Sequence, residues 1–360
     1  QTKLKEELAK QNLGTTNLQK LNEQSLTLKV CNLMDGDARA CYKTCDFDMR
    51  EFKRLKMFVH EEASSSMEAL NIGDLTVFIR LGTDFTNNYY EYEVPLKPTP
   101  WGVSADDVNV IWPEENIIDI EMTALQSAKT ERNVLMRTPG SGVTLTSPYV
   151  TYVDGKKITI LGVPTLSDVK LIMIGVRNPK QSEGNVSDDG LSKCAEIWVD
   201  ELRLTDFNEK GGWAATSSVN ATLADLGTLT FAGKVSTPGF GGIEKKVNER
   251  QKETIMQYDI ATSIELGKFL PERTGIKIPM HYDYSEIISN PQYNPLNPDI
   301  FFKDDLNTFD NKNDRDSVKH LAQDYTMRRS LNFVNVQKEK TGTNSKSHIY
   351  DIENLDFTYS

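Results

Sequence analysis

Few residues in this sequence have both the type and the spacing that metal binding or catalysis needs. The clearest candidate is His60-Glu61-Glu62, which begins like the metal-binding helix of a zinc protease, but Ser64 stands where the second histidine has to be. The chain has 4 histidines, and none is paired with another at helical spacing. We therefore predict no zinc site and interpret His60 as a polar residue at the end of a strand.

The cysteines form no redox or metal motif. Cys41 and Cys45 lie four residues apart, Cys31 lies upstream of both and Cys194 is distant, so no Cys-x-x-Cys pair exists. In an oxidising compartment a disulfide could join two of the first three cysteines. The sequence leaves the disulfide state of all four open.

Two acidic turns and one glycine-rich stretch each lack the rest of a ligand-binding motif. Asp35-Gly36-Asp37 and Asp188-Asp189-Gly190 are not followed by the alternating oxygens and distal glutamate of a calcium loop. Gly239-Phe240-Gly241-Gly242 does not lead into a phosphate-binding helix. We predict no catalytic residue, no cofactor and no metal, and therefore a protein that is not an enzyme.

Aromatic residues offer one binding hypothesis. Tyr89, Trp101 and Trp112 could form a platform on which a sugar ring stacks, as jelly-roll domains often do. The neighbouring Tyr90 and Tyr92 share a face with apolar residues, and only Tyr89 is left on the opposite face. Core packing is the favoured interpretation. A carbohydrate-binding jelly-roll module of a cell-surface protein is kept as the alternative function.

Composition narrows the class of protein. The chain has 360 residues, 41 Lys+Arg against 52 Asp+Glu, and a net charge of −11. Nucleic-acid binding calls for clustered basic residues, so the acidic balance argues against it. No run approaches the roughly 18 apolar residues of a membrane helix. The length fits about two domains.

The first part of the chain alternates with a period of two. Runs such as Leu55–Val59, Leu75–Leu81 and Tyr89–Leu96 predict strands with one buried face. Glu114–Glu131 has apolar residues at helical spacing instead and predicts one short helix. We predict that residues 1–20 are a polar linker or frayed helix, and that residues 21–207 form a soluble, jelly-roll-like antiparallel β-sandwich.

The second part, residues 208–360, has longer and less apolar strands. Trp213–Leu223 alternates without a break, and the short turn Ala224–Gly227 leads into a second alternating run. Asn290–Tyr325 is rich in Asn, Asp and Pro and predicts a long polar loop. Further strand-like segments are Tyr258–Leu266, Gly275–Tyr284, Met327–Val336 and Ile352–Ser360. This pattern is typical of the strands of a large transmembrane β-barrel, although a second soluble β-domain could carry it too.

In the barrel interpretation the alternation assigns residues to two faces. The predicted lipid-facing residues are Trp213, Ala215, Val219, Ala221, Leu223, Leu229, Phe231 and Val235. The predicted lumen-facing residues are Thr216, Ser218, Asn220, Thr222, Thr230 and Lys234. Trp213 would anchor the chain at the membrane interface.

Seven runs of sequence, taken together, resemble one family. They are DGDARA (35–40), RLGTDFTNNYYEYEVPL (80–96), IWPEEN (111–116), WVDELRLTDFNEKGGWAA (198–215), TPGFGGIEKKVNER (237–250), LGKFLPERTGIKIPM (266–280) and SNPQYNPLNPDI (289–300). Their succession resembles the SprA/Sov family, the outer-membrane translocon of the type IX secretion and gliding-motility system of Bacteroidetes. The resemblance extends from about Leu21 to the last residue.

The resemblance implies an internal segment of a very large single-chain barrel that exports folded proteins. The strand-like run Leu355–Ser360 at the end of the chain agrees with a segment of a larger protein. The implied partners are secreted cargo proteins with a type IX C-terminal signal domain, a PorV-like barrel, a plug protein and outer-membrane lipid. The implied location is the bacterial outer membrane, with the N-terminal domain in the periplasm or the barrel lumen. The resemblance assigns no partner site to individual residues.

Overall fold

The computed structural model describes most of the chain, in the ranges 25–66, 69–104, 106–180, 189–246, 249–340 and 350–360. The linker predicted at residues 1–20 and Asp188 of the second acidic turn lie outside these ranges. The chain divides into two compact units. Unit 1 comprises Gln1–Asn208 with Asn297–Ile300, and unit 2 comprises Glu209–Leu296 with Phe301–Ser360. The described fold is mostly β, and its strands pair in an antiparallel manner.

Unit 1 contains two antiparallel sheets that share one hydrophobic core. One sheet has the strand order β1-β10-β3-β6 and the other has the order β2-β9-β4-β5-β8-β7. The strands are β1 Leu26–Leu33, β2 Ala38–Phe47, β3 Phe52–Ala63, β4 Thr76–Gly82, β5 Tyr89–Pro95, β6 Ile118–Glu121, β7 Tyr149–Val153, β8 Lys156–Leu161, β9 Val169–Arg177 and β10 Lys193–Phe207.

The period-two pattern correctly identified the core-facing side of β3, β4 and β5. Alternate residues of β3, namely Leu55, Met57 and Val59, are each 1% exposed, because they point between the sheets. Tyr90 and Tyr92 of β5 belong to the same core. Burial of this apolar surface is the main favourable term in the folding of unit 1.

The predicted helix begins later than expected. Strand β6 occupies the first part of Glu114–Glu131, and helix α2 runs from Met122 to Arg137. A short helix, α1 Val108–Ile111, precedes both. Ile118 and Ile120 alternate toward the core from β6. Ile118 lies four residues before Met122, which fits a helix, and Ile120 lies two residues before it, which fits a strand. The pattern therefore fits both structures, and this explains the error.

A disulfide joins Cys31 of β1 to Cys194 of β10. The sequence-based option of a bridge between two of the first three cysteines is therefore wrong. The two cysteines lie 163 residues apart in sequence, and they meet because β1 and β10 are neighbours in one sheet. Cys41 and Cys45 are free thiols.

Removing this disulfide should destabilise unit 1. In a Cys31→Ser/Cys194→Ser variant we expect the free energy of unfolding to fall by about 2–4 kcal/mol, because the bridge closes a long loop and restricts the unfolded chain. Urea denaturation followed by tryptophan fluorescence measures the change. Cys41→Ser, which removes a free thiol, is the matched control and should change little. Equal stabilities of the double variant and the control would contradict the prediction.

A buried ion pair lies inside unit 1. Lys129 Nζ of helix α2 is 3.0 Å from Asp299 Oδ2, and both side chains are fully buried. Asp299 also accepts hydrogen bonds from the hydroxyl of Tyr90 at 2.6 Å, the hydroxyl of Thr165 at 3.0 Å and the backbone N–H of Leu166. The carboxylate thus has four donors, as a buried charge requires.

A second buried carboxyl group, that of Glu61, has no such partners. Both Glu61 oxygens lack a hydrogen-bond partner within the described residues, as does Oδ1 of Asp74. The other oxygen of Asp74 accepts from Lys193 Nζ at 3.0 Å. Burial, and secondarily the negative charge of Asp74, raises the pKa of Glu61 to about 8. Glu61 is therefore mostly protonated at neutral pH.

Unit 2 is organised around one open antiparallel sheet. Its strand order is β11-β12-β13-β15-β18-β14, and β19 pairs with β18. The strands are β11 Ala214–Thr222, β12 Gly227–Ser236, β13 Glu253–Glu265, β14 Ile276–Lys277, β15 Pro279–Pro291, β18 Asp324–Lys338 and β19 Phe357–Tyr359. No helix in the described part of the chain is long and apolar enough to cross a membrane.

Two segments after Asn208 differ from the sequence-based expectation. The predicted loop Asn290–Tyr325 contains helix α3 Phe302–Asn307 and helix α4 Lys312–Ala322, together with the short strands β16 Tyr293–Asn294 and β17 Asn297–Phe301. The strand predicted at Ile352–Ser360 is reduced to β19, which follows a 3-10 turn at Ile352–Asn354. No residue of helix α4 is buried.

Candidate lipid-facing sheet in unit 2

The register of the first hairpin keeps the two predicted sets of residues on opposite faces. Residues directly opposite each other in an antiparallel pair share a face. The predicted lipid-facing pairs are Ala215–Val235, Val219–Phe231 and Ala221–Leu229. The predicted lumen-facing pairs are Thr216–Lys234 and Asn220–Thr230, with Ser218 opposite Ala232 and Thr222 opposite Thr228. Trp213 and Leu223 flank β11, one at each end.

The apolar side of this hairpin continues across the next three strands. We call this surface the apolar face of unit 2. Following the register from β12, it includes Met256, Tyr258, Ile260 and Ile264 on β13, Met280, Tyr282, Tyr284 and Ile288 on β15, and Tyr325, Met327, Leu331 and Phe333 on β18. The sequence predicts strands in these segments, but it assigns none of these residues to a face. The same alternation would have assigned them once the pairing register was known.

The opposite side of the sheet is polar and is linked by side-chain hydrogen bonds. We call it the polar face of unit 2. Asp259 accepts from Gln257 at 3.0 Å and from the hydroxyl of Ser285 at 2.6 Å. The hydroxyl of Ser330 donates to Asp283 at 3.0 Å. Such groups favour contact with water over contact with lipid or with a hydrophobic core.

The apolar face is not covered by other parts of the described chain. Val219 is 57% exposed, Met327 is 49% exposed and Phe231 is 41% exposed. The buried large apolar residues described in unit 2 are Tyr293 and Phe302, neither of which lies on this face. The apolar side of β11 is therefore not sealed within a core of unit 2.

Two charged side chains interrupt the apolar face, those of Glu286 and of Arg329, which lies opposite Tyr284. Glu286 lies opposite Tyr258 and Met327 in the sheet. The hydroxyl of Tyr284 donates a hydrogen bond to Glu286 at 2.6 Å. Tyrosine rings around a carboxylate combine apolar surface with a polar atom, so this part of the face suits an interface between an apolar and an aqueous phase.

Within the described residues the sheet does not close on itself. Strand β11 pairs with β12 alone, and the backbone groups along its other edge have no strand partner. At the opposite end, β14 and β19 cover only short stretches of β18. An edge strand of this length presents a row of unpaired backbone N–H and C=O groups, which can pair with another strand.

The residues of the proposed glycan platform are not brought together. Tyr89 is 8% exposed and lies beneath the guanidinium of Arg80, 4.1 Å from the ring centre. It is therefore buried, contrary to the expectation that it is free. Trp112 packs against His60, whereas Trp101 is 56% exposed. No ring contact in the described residues joins any two of the three.

His60 lies within β3, and not at its end as expected. Its ring is buried and packs against Trp112 and Trp198, at centroid distances of 5.8 and 5.3 Å. Its Nδ1–H donates to the carbonyl oxygen of Ile111 at 2.7 Å. The hydrogen bond satisfies one ring nitrogen, and the two ring contacts explain why His60 is buried.

Comparison with known proteins identifies the family. The fold is mostly β and antiparallel, with one hydrophobic core between the two sheets of unit 1 and one sheet in unit 2 whose apolar face is uncovered within the described residues. The family model SprA_N, described as motility related/secretion protein, matches residues 8–306. The chain belongs to this family, and it is therefore a motility- and secretion-related protein.

Neither curated proteins nor solved structures indicate a function for this chain. No curated protein matches the chain. Among solved structures, a recombinant N-glycanase F (PNGase F) is similar at 12% sequence identity, over 73% of this chain and 59% of that one, with a TM-score of 0.22. The chain thus spans 59% of the length of that structure, and a likeness this weak supports no conclusion about function.

Proposed function

We propose that this chain is a non-catalytic structural segment of a protein-conducting outer-membrane pore that exports folded cargo proteins. Unit 1 would be a soluble, jelly-roll-like domain, and unit 2 would supply strands to a large β-barrel. The observation that carries the proposal is the uncovered apolar face of unit 2, backed by a hydrogen-bonded polar face. Membership of a motility- and secretion-related family agrees with it.

Lipid is the environment that best suits the apolar face. A membrane-spanning β-strand needs about 9–11 residues, and β11, β12, β13 and β15 have 9, 10, 13 and 13. In lipid every backbone N–H and C=O must be paired, which a sheet achieves only when it closes into a barrel. The free edge of β11 would then pair with a neighbouring strand of the complete pore.

The polar face would line an aqueous lumen through which cargo passes. Its residues are polar and hydrogen-bonded to each other, and contact with water costs them nothing. Trp213 and Tyr325 lie at the same end of the strands, where aromatic residues anchor barrels at the membrane interface. Cargo with a type IX C-terminal signal domain, a PorV-like barrel and a plug protein are the partners that this proposal names.

The disulfide supports a location outside the cytoplasm. Disulfides persist in the periplasm and at the cell surface and are rare in the reducing cytosol. The bridge between Cys31 and Cys194 lies in unit 1. We place unit 1 in the periplasm or the barrel lumen on this basis.

Arginine at two adjacent positions of β11 tests which face meets lipid. Val219→Arg, on the apolar face, should cost about 2–4 kcal/mol if it lies near the bilayer midplane. Asn220→Arg, on the polar face, is the matched control and should cost little because its side chain enters water. The measurement is the amount of full-length protein assembled in the outer membrane, relative to wild type. Equal tolerance of both substitutions would show that the assignment of the faces is wrong.

A further inference from the structure

A groove lies at one end of the sheet of unit 2, beside helices α3 and α4. We call it the strand-end groove, and its volume is about 460 Å³. All of its lining residues belong to unit 2. Those used below are Thr254, Asn290, Phe302, Lys303, Asp304 and Lys319. A groove of this volume is within the usual range for binding sites.

The strand-end groove continues the apolar face of unit 2 beyond its last apolar residues. Thr254 and Asn290 lie opposite each other, two residues beyond Met256 and Ile288, so they share a face with these two. The register places Trp213 of the first hairpin at the same level of the sheet. The groove therefore begins at the level where Trp213 is predicted to anchor the chain at the membrane interface.

Two lysines and one aspartate are the charged residues that line the groove. Lys303 belongs to helix α3 and Lys319 to helix α4, and both are exposed. Neither lysine makes an ion pair with any of the described residues. The lining thus has a net positive charge, although the chain as a whole carries −11. The groove favours an occupant that brings an anionic group to the two lysines, and Asp304 opposes this attraction in part.

The walls of the groove are held in place by hydrogen bonds that need no ligand. The backbone N–H of Phe302 donates to the carbonyl oxygen of Gln292 at 2.9 Å, which fixes helix α3 beside the end of β15. The side-chain amide of Asn294 donates to the buried carboxylate of Asp305 at 2.5 Å. Phe302 is buried as well. The lysines therefore extend from a preorganised frame, which lowers the cost of binding.

The position of the groove along the strands matches the phosphate layer of a membrane. Two residues of a strand span about 7 Å, which is about 5 Å along the membrane normal when the strand is tilted by 45°. The headgroup region is about 5–7 Å thick on each side of the hydrocarbon core. If Met256 and Ile288 lie at the edge of the hydrocarbon, the groove lies among the lipid headgroups.

We propose that the strand-end groove binds the phosphate of an anionic lipid headgroup, whose acyl chains lie along the apolar face past Met256 and Ile288. This inference rests on the proposed function, because it needs the apolar face to meet lipid. Lys303 and Lys319 would donate hydrogen bonds to the phosphate oxygens. A free phosphate or a phosphorylated sugar offers the same anion. It would leave the adjoining apolar face uncovered, so a lipid is the better occupant.

The test measures binding of three defined probes to the complete 360-residue chain in micelles of an uncharged detergent, by titration calorimetry. The probes are dihexanoyl phosphatidylglycerol, dihexanoyl phosphatidylcholine and glycerol phosphate. Phosphatidylglycerol should bind at least about tenfold more tightly than either of the others. The choline of phosphatidylcholine places a positive charge near the lysines, and glycerol phosphate has no acyl chain to cover the apolar face.

Two double variants with the same change in net charge separate the groove from a general effect of charge. Lys303→Gln/Lys319→Gln should weaken binding of phosphatidylglycerol about tenfold or more, because it removes both donors to the phosphate. Lys277→Gln/Lys340→Gln, at the opposite end of the sheet, is the matched control and should leave binding unchanged. Asp304→Asn removes the opposing charge from the groove and should strengthen binding by about threefold.

Three results would overturn the proposal. Equal losses in the two double variants would show that only the net charge of the chain matters. Glycerol phosphate that binds as tightly as phosphatidylglycerol would show a site for free phosphate or a phosphorylated sugar. The third result is the absence of phosphatidylglycerol binding.

The arginine variants of β11 test the pore itself by a different measurement. If Val219→Arg impairs assembly but Lys303→Gln/Lys319→Gln does not change lipid binding, the face meets lipid and only the groove is wrong. If Val219→Arg and Asn220→Arg are tolerated equally, the pore proposal is wrong, and the headgroup site is rejected with it.

Discussion

Replacing Asp299 with alanine should lower the free energy of unfolding of unit 1 by about 3–5 kcal/mol, because it leaves Lys129 buried without a counter-charge. The ammonium group of Lys129 is fully buried and lies 3.0 Å from Asp299. Burial already lowers the pKa of Lys129, and Asp299 opposes this effect. Without the carboxylate, Lys129 has to lose its proton or draw water into the core, and the hydroxyl of Tyr90 loses its acceptor.

A double substitution separates the charge effect from packing. Asp299→Leu combined with Lys129→Met removes both charges, and it should be less destabilising than Asp299→Leu alone. Tyr90→Phe removes one hydrogen bond and should cost only about 1 kcal/mol. Urea denaturation followed by tryptophan fluorescence measures all four variants. If Asp299→Ala costs no more than Tyr90→Phe, the ion pair does not stabilise unit 1.

The strands of unit 1 were predictable because one face of each is buried. Alternation placed Leu55, Met57 and Val59 on the core side of β3, where they lie in the structure. The buried side of helix α2 was harder to recognise, because it includes Lys129 and Arg132. A hydropathy pattern assigns such residues to the solvent. Asp299, which neutralises Lys129, comes 170 residues later in the sequence, where no local pattern can reveal it.

Contacts between neighbouring strands also explain the other errors. The disulfide depends on the pairing of β1 with β10, and the spacing of the four cysteines contains no information about it. Tyr89 was expected to be free because it is on the outer side of β5, but Arg80 of the neighbouring strand covers its ring. Both errors come from a contact between two paired strands, and the spacing of residues along the chain does not show such contacts.

The two faces of the candidate lipid-facing sheet could be predicted in the hairpin of β11 and β12. In the other strands of the sheet only the strands, and not their faces, could be predicted. The tight turn between β11 and β12 fixes their register, so the sequence was enough to assign Val219 and Phe231 to one face. The connections that precede β13, β15 and β18 are longer and do not fix a register. The apolar face across those strands therefore needed the structure.

The stability of unit 1 should decrease as the pH rises from about 4.5 to about 8, and Glu61 should cause this decrease. Glu61 occupies a core-facing position of β3 between Val59 and Ala63, and its pKa is raised from 4.5 to about 8, first by burial and then by the charge of Asp74. Within this window the unfolded chain releases the proton while the folded chain retains it. Each pH unit therefore costs up to about 1.4 kcal/mol, and the whole window costs on the order of 4–5 kcal/mol.

Glu61→Gln isolates this contribution from that of other titrating groups. The variant keeps the size of the side chain but binds no proton, so the difference in unfolding free energy between wild type and variant should fall steadily from pH 5 to pH 8 and become constant above it. Below about pH 3.5, one unit under the ordinary pKa of 4.5, both folded and unfolded Glu61 are neutral, and the difference should again be constant. Urea denaturation at intervals of one pH unit measures it. Parallel pH profiles of the two proteins would mean that Glu61 is ionised in the folded chain, because a carboxylate that is charged in both states makes no contribution to the slope.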